Sequence, residues 1–210
     1  DAAGRLDDCE ILYGHCSQQF IRSAKSLTWA CCGGAGVARF CDESLYQNPD
    51  CRLTNSSGAY GTTISEHLIM VCLMLLRRQM EYTEIIRAGG WETLPGGIRS
   101  LHGARITVLG TGDIGTEFAR RAQAFHPACI TGVRRTVRSS DPAFTSIHAI
   151  AELDSVLPET DILVMALPST AETVGILSRE RIALLPDSAF VVNVGRGTAI
   201  DQEALCDTLN

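Results

Sequence analysis

Along the 210-residue chain, short apolar runs alternate with segments whose apolar positions repeat at helical spacing. Residues 9–14 read as a strand and turn, 20–25 as a short helix and 27–32 as a buried strand. A glycine cluster, Gly33-Gly34-Ala35-Gly36-Val37, comes next, and 52–55 form a further short strand. Residues 64–87 predict one long helix, apolar nearly all round over its first half, with Thr62 or Thr63 as N-cap and Glu66 completing the cap. Such a helix is buried between domains or between subunits, and His67 within it reads as a packed or interface histidine. Gly89-Gly90-Trp91 ends the helix, and Pro95-Gly96-Gly97 marks a linker.

Beyond the linker the alternation becomes regular. Residues 106–109 predict a strand, followed at once by Gly110-Thr111-Gly112-Asp113-Ile114-Gly115, a helical pattern and a second strand at 129–133. A strand edge and short helix occupy 147–157. The continuous apolar run 161–167 is expected of a strand in a parallel sheet covered on both faces. A helical crossover at 173–184, a strand at 189–194 and the start of a helix at 201–209 complete the pattern. The chain thus divides at 97/98 into two α/β domains, the second built on a doubly wound parallel sheet.

Strand, glycine turn, helix, strand is the first unit of a dinucleotide-binding domain, and this context makes the glycine spacing informative. Gly110 permits the tight turn, Gly112 lets backbone approach a pyrophosphate, and Gly115 lets the helix pack on the sheet. The helix beginning near Asp113 directs free amides and its positive dipole end at the phosphates.

The end of the second strand refines this picture. An acidic residue about twenty positions past the glycines ordinarily accepts from the ribose 2′-hydroxyl of NAD. Here Arg134-Arg135-Thr136 stand in that place. A carboxylate would repel a 2′-phosphate, whereas guanidinium groups bind one through charge-assisted hydrogen bonds. The pattern favours NADP(H), with NAD(H) possible. A solvated basic loop, with Arg138 nearby, is the plainer alternative.

Composition adds limits. At 45% hydrophobic and 20% charged the chain is globular, and a net charge of −6 argues against a nucleic-acid partner. Nine cysteines, an odd number without a CxxC pair, match neither a disulfide framework nor a metal site, and are expected as reduced, mostly buried thiols in a cytoplasmic setting. No run is long enough for a membrane span.

Two further features carry chemistry. The strand at 189–194 ends in Gly195-Arg196-Gly197, on the same sheet edge as the glycine turn. A guanidinium there can clamp a carboxylate and polarise a carbonyl oxygen, or serve in a structural ion pair. The cluster at 33–37 leaves amides for a compact anion, or is a plain βα turn.

Several motifs together resemble the D-isomer-specific 2-hydroxyacid dehydrogenases: Ser57-Gly58-Ala59-Tyr60-Gly61 before Glu66-His67, the turn at 110–115, Ala166-Leu167-Pro168 with Glu172-Thr173, and Asn193-Val194-Gly195-Arg196-Gly197. The ending at Arg134-Arg135-Thr136 is similar to NADPH-preferring glyoxylate and hydroxypyruvate reductases. The resemblance implies a Rossmann nucleotide domain with a smaller flavodoxin-like substrate domain, both incomplete here. It implies that Arg196 is the catalytic arginine holding a small 2-oxoacid, and that Ala35 and Gly36 bind its carboxylate. Asp113 and Ile114 would contact the pyrophosphate, while Leu167, Pro168, Val194 and Gly195 line the cofactor.

In this family a histidine paired with a glutamate supplies the proton, and both follow the catalytic arginine. His15, His67, His102, His126 and His148 all precede Arg196. The resemblance therefore places the acid pair beyond residue 210 and makes the chain an internal piece of an enzyme, for which the apolar helix at 64–87 is the expected homodimer contact. Two other identities stay open: a non-enzymatic, corepressor-like dinucleotide sensor, and an NAD-dependent relative such as phosphoglycerate or formate dehydrogenase.

Overall fold

The computed structural model describes residues 6–137 and 141–209, which form two compact units meeting at Tyr60–Gly61. The first unit is a parallel sheet of three strands, β1 (Ile11–Gly14), β2 (Trp29–Cys32) and β3 (Arg52–Thr54), in the order β1-β2-β3. Helix α1 (Gln18–Ser23) starts where the Ser17 side chain accepts the Phe20 amide hydrogen at 3.2 Å. Ile21, Leu27, Ala30, Phe40 and Leu45 form the unit's core.

The second unit carries five parallel strands: β4 (Arg105–Leu109), β5 (Cys129–Arg134), β6 (Ser146–Ala149), β7 (Ile162–Met165) and β8 (Phe190–Asn193). Their order is β6-β5-β4-β7-β8. Counted from the first strand of this unit the order is 3-2-1-4-5, that of a dinucleotide-binding sheet, and the winding reverses between β4 and β7. Strand β7 shows why the fold is double-sided. Ile162 and Val164 pack in one cluster with Leu68, Phe118 and Ala119, whereas Leu163 and Met165 pack in another with Leu153, Leu157 and Leu177. Every β7 residue is therefore apolar and buried.

Several expectations differ from what forms. The predicted long helix is two helices, α2 (Gly61–Leu76) and α3 (Gln79–Arg87). Arg78 between them adopts left-handed backbone at φ 54°, and its guanidinium bonds both Glu81 carboxylate oxygens and the Pro95 carbonyl. Thr62 and Thr63 lie inside α2 rather than capping it. Leu68, Cys72 and Leu76 face the second unit's core, so α2 belongs to that unit, and the units divide at Tyr60–Gly61 instead of 97/98. Met70, Leu75 and His67 lie on exposed positions of α2, so His67 is not packed within this chain.

The crossover at 173–184 holds only a short helix, α6 (Arg179–Ile182). Ahead of it, the Thr173 hydroxyl donates to the Pro168 carbonyl at 2.7 Å and accepts the Thr170 amide at 2.8 Å. That bonding ties 168–173 into a turn, and Gly175 at φ 63° turns the chain so that Leu177 bridges Ile200. The remaining helices are α4 (Asp113–Ala122), α5 (Leu153–Val156) and α7 (Gln202–Leu209). Cys16, Cys32 and Cys72 are buried, while Cys41 and Cys206 are exposed, so burial is less general than expected. No helix among the described residues is long and apolar enough to cross a membrane.

Candidate functional site

The candidate site lies at the carboxyl ends of β4, β5 and β7, where the winding reverses and ligands bind in open α/β sheets. Gly110 leaves β4 at φ 103°, and a Cβ there would come within 2.7 Å of the Ala166 carbonyl oxygen. At Gly115 a Cβ would fall 2.0 Å from the Gly110 carbonyl oxygen, so the first turn of α4 rests directly on the strand end. Gly112 is different: nothing lies within 4 Å of its Cβ direction. It is also the N-cap of α4 and contributes no side-chain cap. The turn is thus closed against the protein at two glycines and open at the third, a surface across which a phosphate can lie near the helix amides.

A cleft of about 830 Å³ opens from this turn. One wall is Arg134, Arg135 and Thr136 at the end of β5; the other is Leu167, Pro168, Thr170, Glu172 and Thr173 after β7, with Ile150 also lining the space. Among the described residues, neither the Arg134 nor the Arg135 guanidinium has a hydrogen-bond or ion-pair partner. Both positive charges stand ready for an anion. The buried Thr111 hydroxyl oxygen in the cleft floor also lacks a partner. Turn, basic wall and orphaned hydroxyl fit a polyanionic nucleotide. Arg138 lies outside the described residues.

The other expected positions divide into groups. Asp113 is the first residue of α4, but its carboxylate lies against Gly61 at the start of α2 and does not line the cleft. Ile114 and Val194 pack against the hydrophobic cluster beneath the sheet edge. Gly195 is held closely, a Cβ there coming within 2.5 Å of the Leu167 carbonyl oxygen.

Arg196 is exposed just past β8. Asn193 braces its loop, its Oδ1 accepting the Gly195 amide at 2.9 Å and its Nδ2 donating to the Arg196 carbonyl at 3.0 Å. Among the described residues the guanidinium donates to the neighbouring Gly195 carbonyl alone, at 3.0 Å, which leaves most of its donors for another partner.

In the first unit, Ala35 and Gly36 sit on an exposed loop after β2. The loop is held by its carbonyls: Gly33 O accepts from the Tyr60 hydroxyl at 2.6 Å, and Ala35 O accepts from Asn55 at 2.7 Å. The amides of Gly34, Ala35 and Gly36 donate to no backbone group among the described residues.

Sequence reasoning did not single out Thr111, Ile150, Thr170, Glu172 or Thr173 as cleft residues. Only the position of 168–173 after an apolar strand hinted at three of them.

The model of the D-isomer specific 2-hydroxyacid dehydrogenase NAD binding domain matches residues 69–210. Glyoxylate/hydroxypyruvate reductase B of Pectobacterium atrosepticum is 30% identical over 203 residues, covering 93% of this chain and 62% of its own length. A D-isomer specific 2-hydroxyacid dehydrogenase family protein of Aeromonas salmonicida superposes with a TM-score of 0.89 at 28% identity, over 99% of this chain and 66% of its own. The NADPH-dependent glyoxylate/hydroxypyruvate reductase of Sinorhizobium meliloti, solved with NADP and sulfate, gives 0.79 at 26% identity over 95% of this chain and 62% of its own. The chain spans about 62% of the Pectobacterium reductase it matches. By its sheet order, its glycine turn and the family match over 69–210, the chain belongs to the D-isomer specific 2-hydroxyacid dehydrogenases.

Proposed function

We propose that this protein is an NADP(H)-preferring reductase of small 2-oxoacids of the glyoxylate or hydroxypyruvate kind. The observation that carries the reading is the pair of unpartnered guanidiniums, Arg134 and Arg135, on the wall of the nucleotide cleft. The reduced cofactor supplies a hydride when bound. The residues of this chain do the holding. The open face at Gly112 and the α4 amides receive the pyrophosphate, and Arg134 and Arg135, with the Thr136 hydroxyl, receive the 2′-phosphate. Leu167 and Pro168 form the apolar side of the cleft.

Arg196 is the catalytic arginine of this reading, its free donors taking the substrate's carboxylate and keto oxygen and favouring charge build-up on that oxygen. The free amides of Ala35 and Gly36 are a second group suited to a carboxylate. The names of the relatives support this substrate class. We further propose a homodimer formed through the exposed apolar positions Met70, Leu75, Met80 and Ile86, and a cytoplasmic setting that keeps nine thiols reduced.

The test replaces Arg134 and Arg135 together with serine in the full-length protein and measures steady-state kinetics with both reduced cofactors. KM for NADPH should rise about tenfold or more, the loss of charge-assisted hydrogen bonds to one phosphate, while KM for NADH changes little. An equal effect on both cofactors would overturn the preference.

A further inference from the structure

Glu172 lines the same cleft as Arg134 and Arg135, from the segment after β7 rather than the end of β5, a charge that the proposed reading leaves unused. It sits on the 168–175 turn, whose backbone is held by the Thr173 hydroxyl through its bonds to Pro168 and Thr170. Thr173 is only 6% exposed, so the turn has little freedom, whereas the Glu172 side chain is exposed at the cleft wall. The Thr170 hydroxyl and Glu172's own amide hold its carboxyl below the usual range, and the charge of Arg135 adds to this. Glu172 is therefore ionised throughout the neutral range. No ion pair within 4.0 Å joins it to Arg134 or Arg135. The carboxylate comes from the segment after β7 and the guanidiniums from the end of β5, the two strands that flank β4.

Chemistry assigns the two walls different partners. Guanidiniums donate only, so they suit a phosphate; an ionised carboxylate accepts only, so it suits a hydroxyl. The end of β5, the ordinary place for a carboxylate that accepts from the ribose, is Arg134 here. Glu172 restores such an acceptor from the other wall. The same negative charge opposes a 2′-phosphate, because like charges a few ångströms apart in a partly desolvated cleft repel.

We propose that Glu172 is a specificity-determining residue of the nucleotide cleft: it accepts from the ribose hydroxyls of an unphosphorylated adenine nucleotide and lowers the affinity for the 2′-phosphorylated one. This rests on the cleft being a dinucleotide site. It makes the selectivity a balance of two walls rather than a property of the arginines alone.

The experiment measures the Kd of 2′,5′-ADP and of 5′-AMP by calorimetry, for the wild-type chain and for Glu172→Gln, at low and at raised salt. Glutamine keeps the shape of the side chain and removes its charge. The variant should bind 2′,5′-ADP about threefold more tightly and 5′-AMP about threefold more weakly, so that the ratio of the two Kd values moves by about tenfold. The gain for 2′,5′-ADP should shrink at raised salt.

Unchanged affinities, or an equal loss for both ligands, would overturn the proposal in favour of a purely structural carboxylate. A selective loss of 2′,5′-ADP binding would overturn it in favour of Glu172 positioning Arg135. The wild-type arm tests the underlying reading separately. Binding of neither ligand removes the nucleotide site and the proposal with it. Preference of the wild type for 5′-AMP removes only the NADP(H) preference, and the change in ratio still decides the role of Glu172.

Discussion

The carboxylate of Asp113, at the start of α4, occupies the space where a side chain of Gly61, at the start of α2, would begin. A Cβ on Gly61 would come within 2.5 Å of Oδ1 and 2.6 Å of Oδ2. Two helix N-termini thus meet over one negative charge, which favours both dipoles. The contact joins the glycine turn to the first residue of the second compact unit.

Gly61→Ala should therefore destabilise the chain, although alanine is the better helix former. Asp113→Ala frees the space, so the double variant should recover most of the loss. A double-mutant cycle by urea unfolding should give a coupling of about 1 kcal/mol or more between the two positions. Additive effects would show that Asp113 swings away at no cost.

The glycine turn separates fold from binding. Gly115→Ala pushes a methyl group to 2.0 Å from a backbone oxygen that cannot move aside, and should cost roughly 3 kcal/mol. Gly112→Ala meets nothing and should leave the melting temperature near wild type while weakening 2′,5′-ADP binding. Thermal unfolding and calorimetry on the same two variants check both halves.

Two threonines at the cleft should behave oppositely. Thr173→Val removes a hydroxyl that bonds the Pro168 carbonyl and the Thr170 amide, and should cost about 1–3 kcal/mol. Thr111→Val removes a buried hydroxyl without a partner and should stay within about 0.5 kcal/mol of wild type, or gain. Denaturant midpoints give the comparison directly.

Asp161 ties the amino ends of the central strands together. Its Oδ2 accepts the Arg105 amide at 2.8 Å, and its Oδ1 pairs with the Arg105 guanidinium at 3.1 Å. The guanidinium bond, ahead of the backbone bond, holds the Asp161 carboxyl below the usual range. A carboxyl lowered on folding stabilises above its unfolded value and loses that contribution as pH falls through the folded one. The advantage of wild type over Asp161→Asn should be full at neutral pH and should fade below about pH 4. A constant difference across that range would show that the ion pair contributes nothing.

Much of this protein is legible locally. The turn at 110–115, the solid apolar strand before Pro168 and the basic end of β5 are each encoded within a few adjacent residues, so pattern alone locates them. Local pattern fails at Arg78, where a helical sequence breaks. There the Arg78 guanidinium donates to the carbonyl of Pro95, a residue beyond both helices. It fails likewise at 173–176, where Gly175 turns the chain at φ 63° and Leu177 bridges Ile200, a residue from a later part of the chain.

The sequence by itself determined a strand–glycine turn–helix unit, two arginines where an acid is usual, and Arg196 at the end of a later strand. Those follow from side-chain size, charge and spacing along one chain. Only the tertiary structure decided that Asp113 turns away from the cleft to Gly61, that α2 packs with the second unit, and that Glu172 lines one cleft with Arg134 and Arg135. These relationships join residues dozens of positions apart, and the parallel sheet brings them together by aligning the carboxyl ends of strands that are not consecutive in the chain.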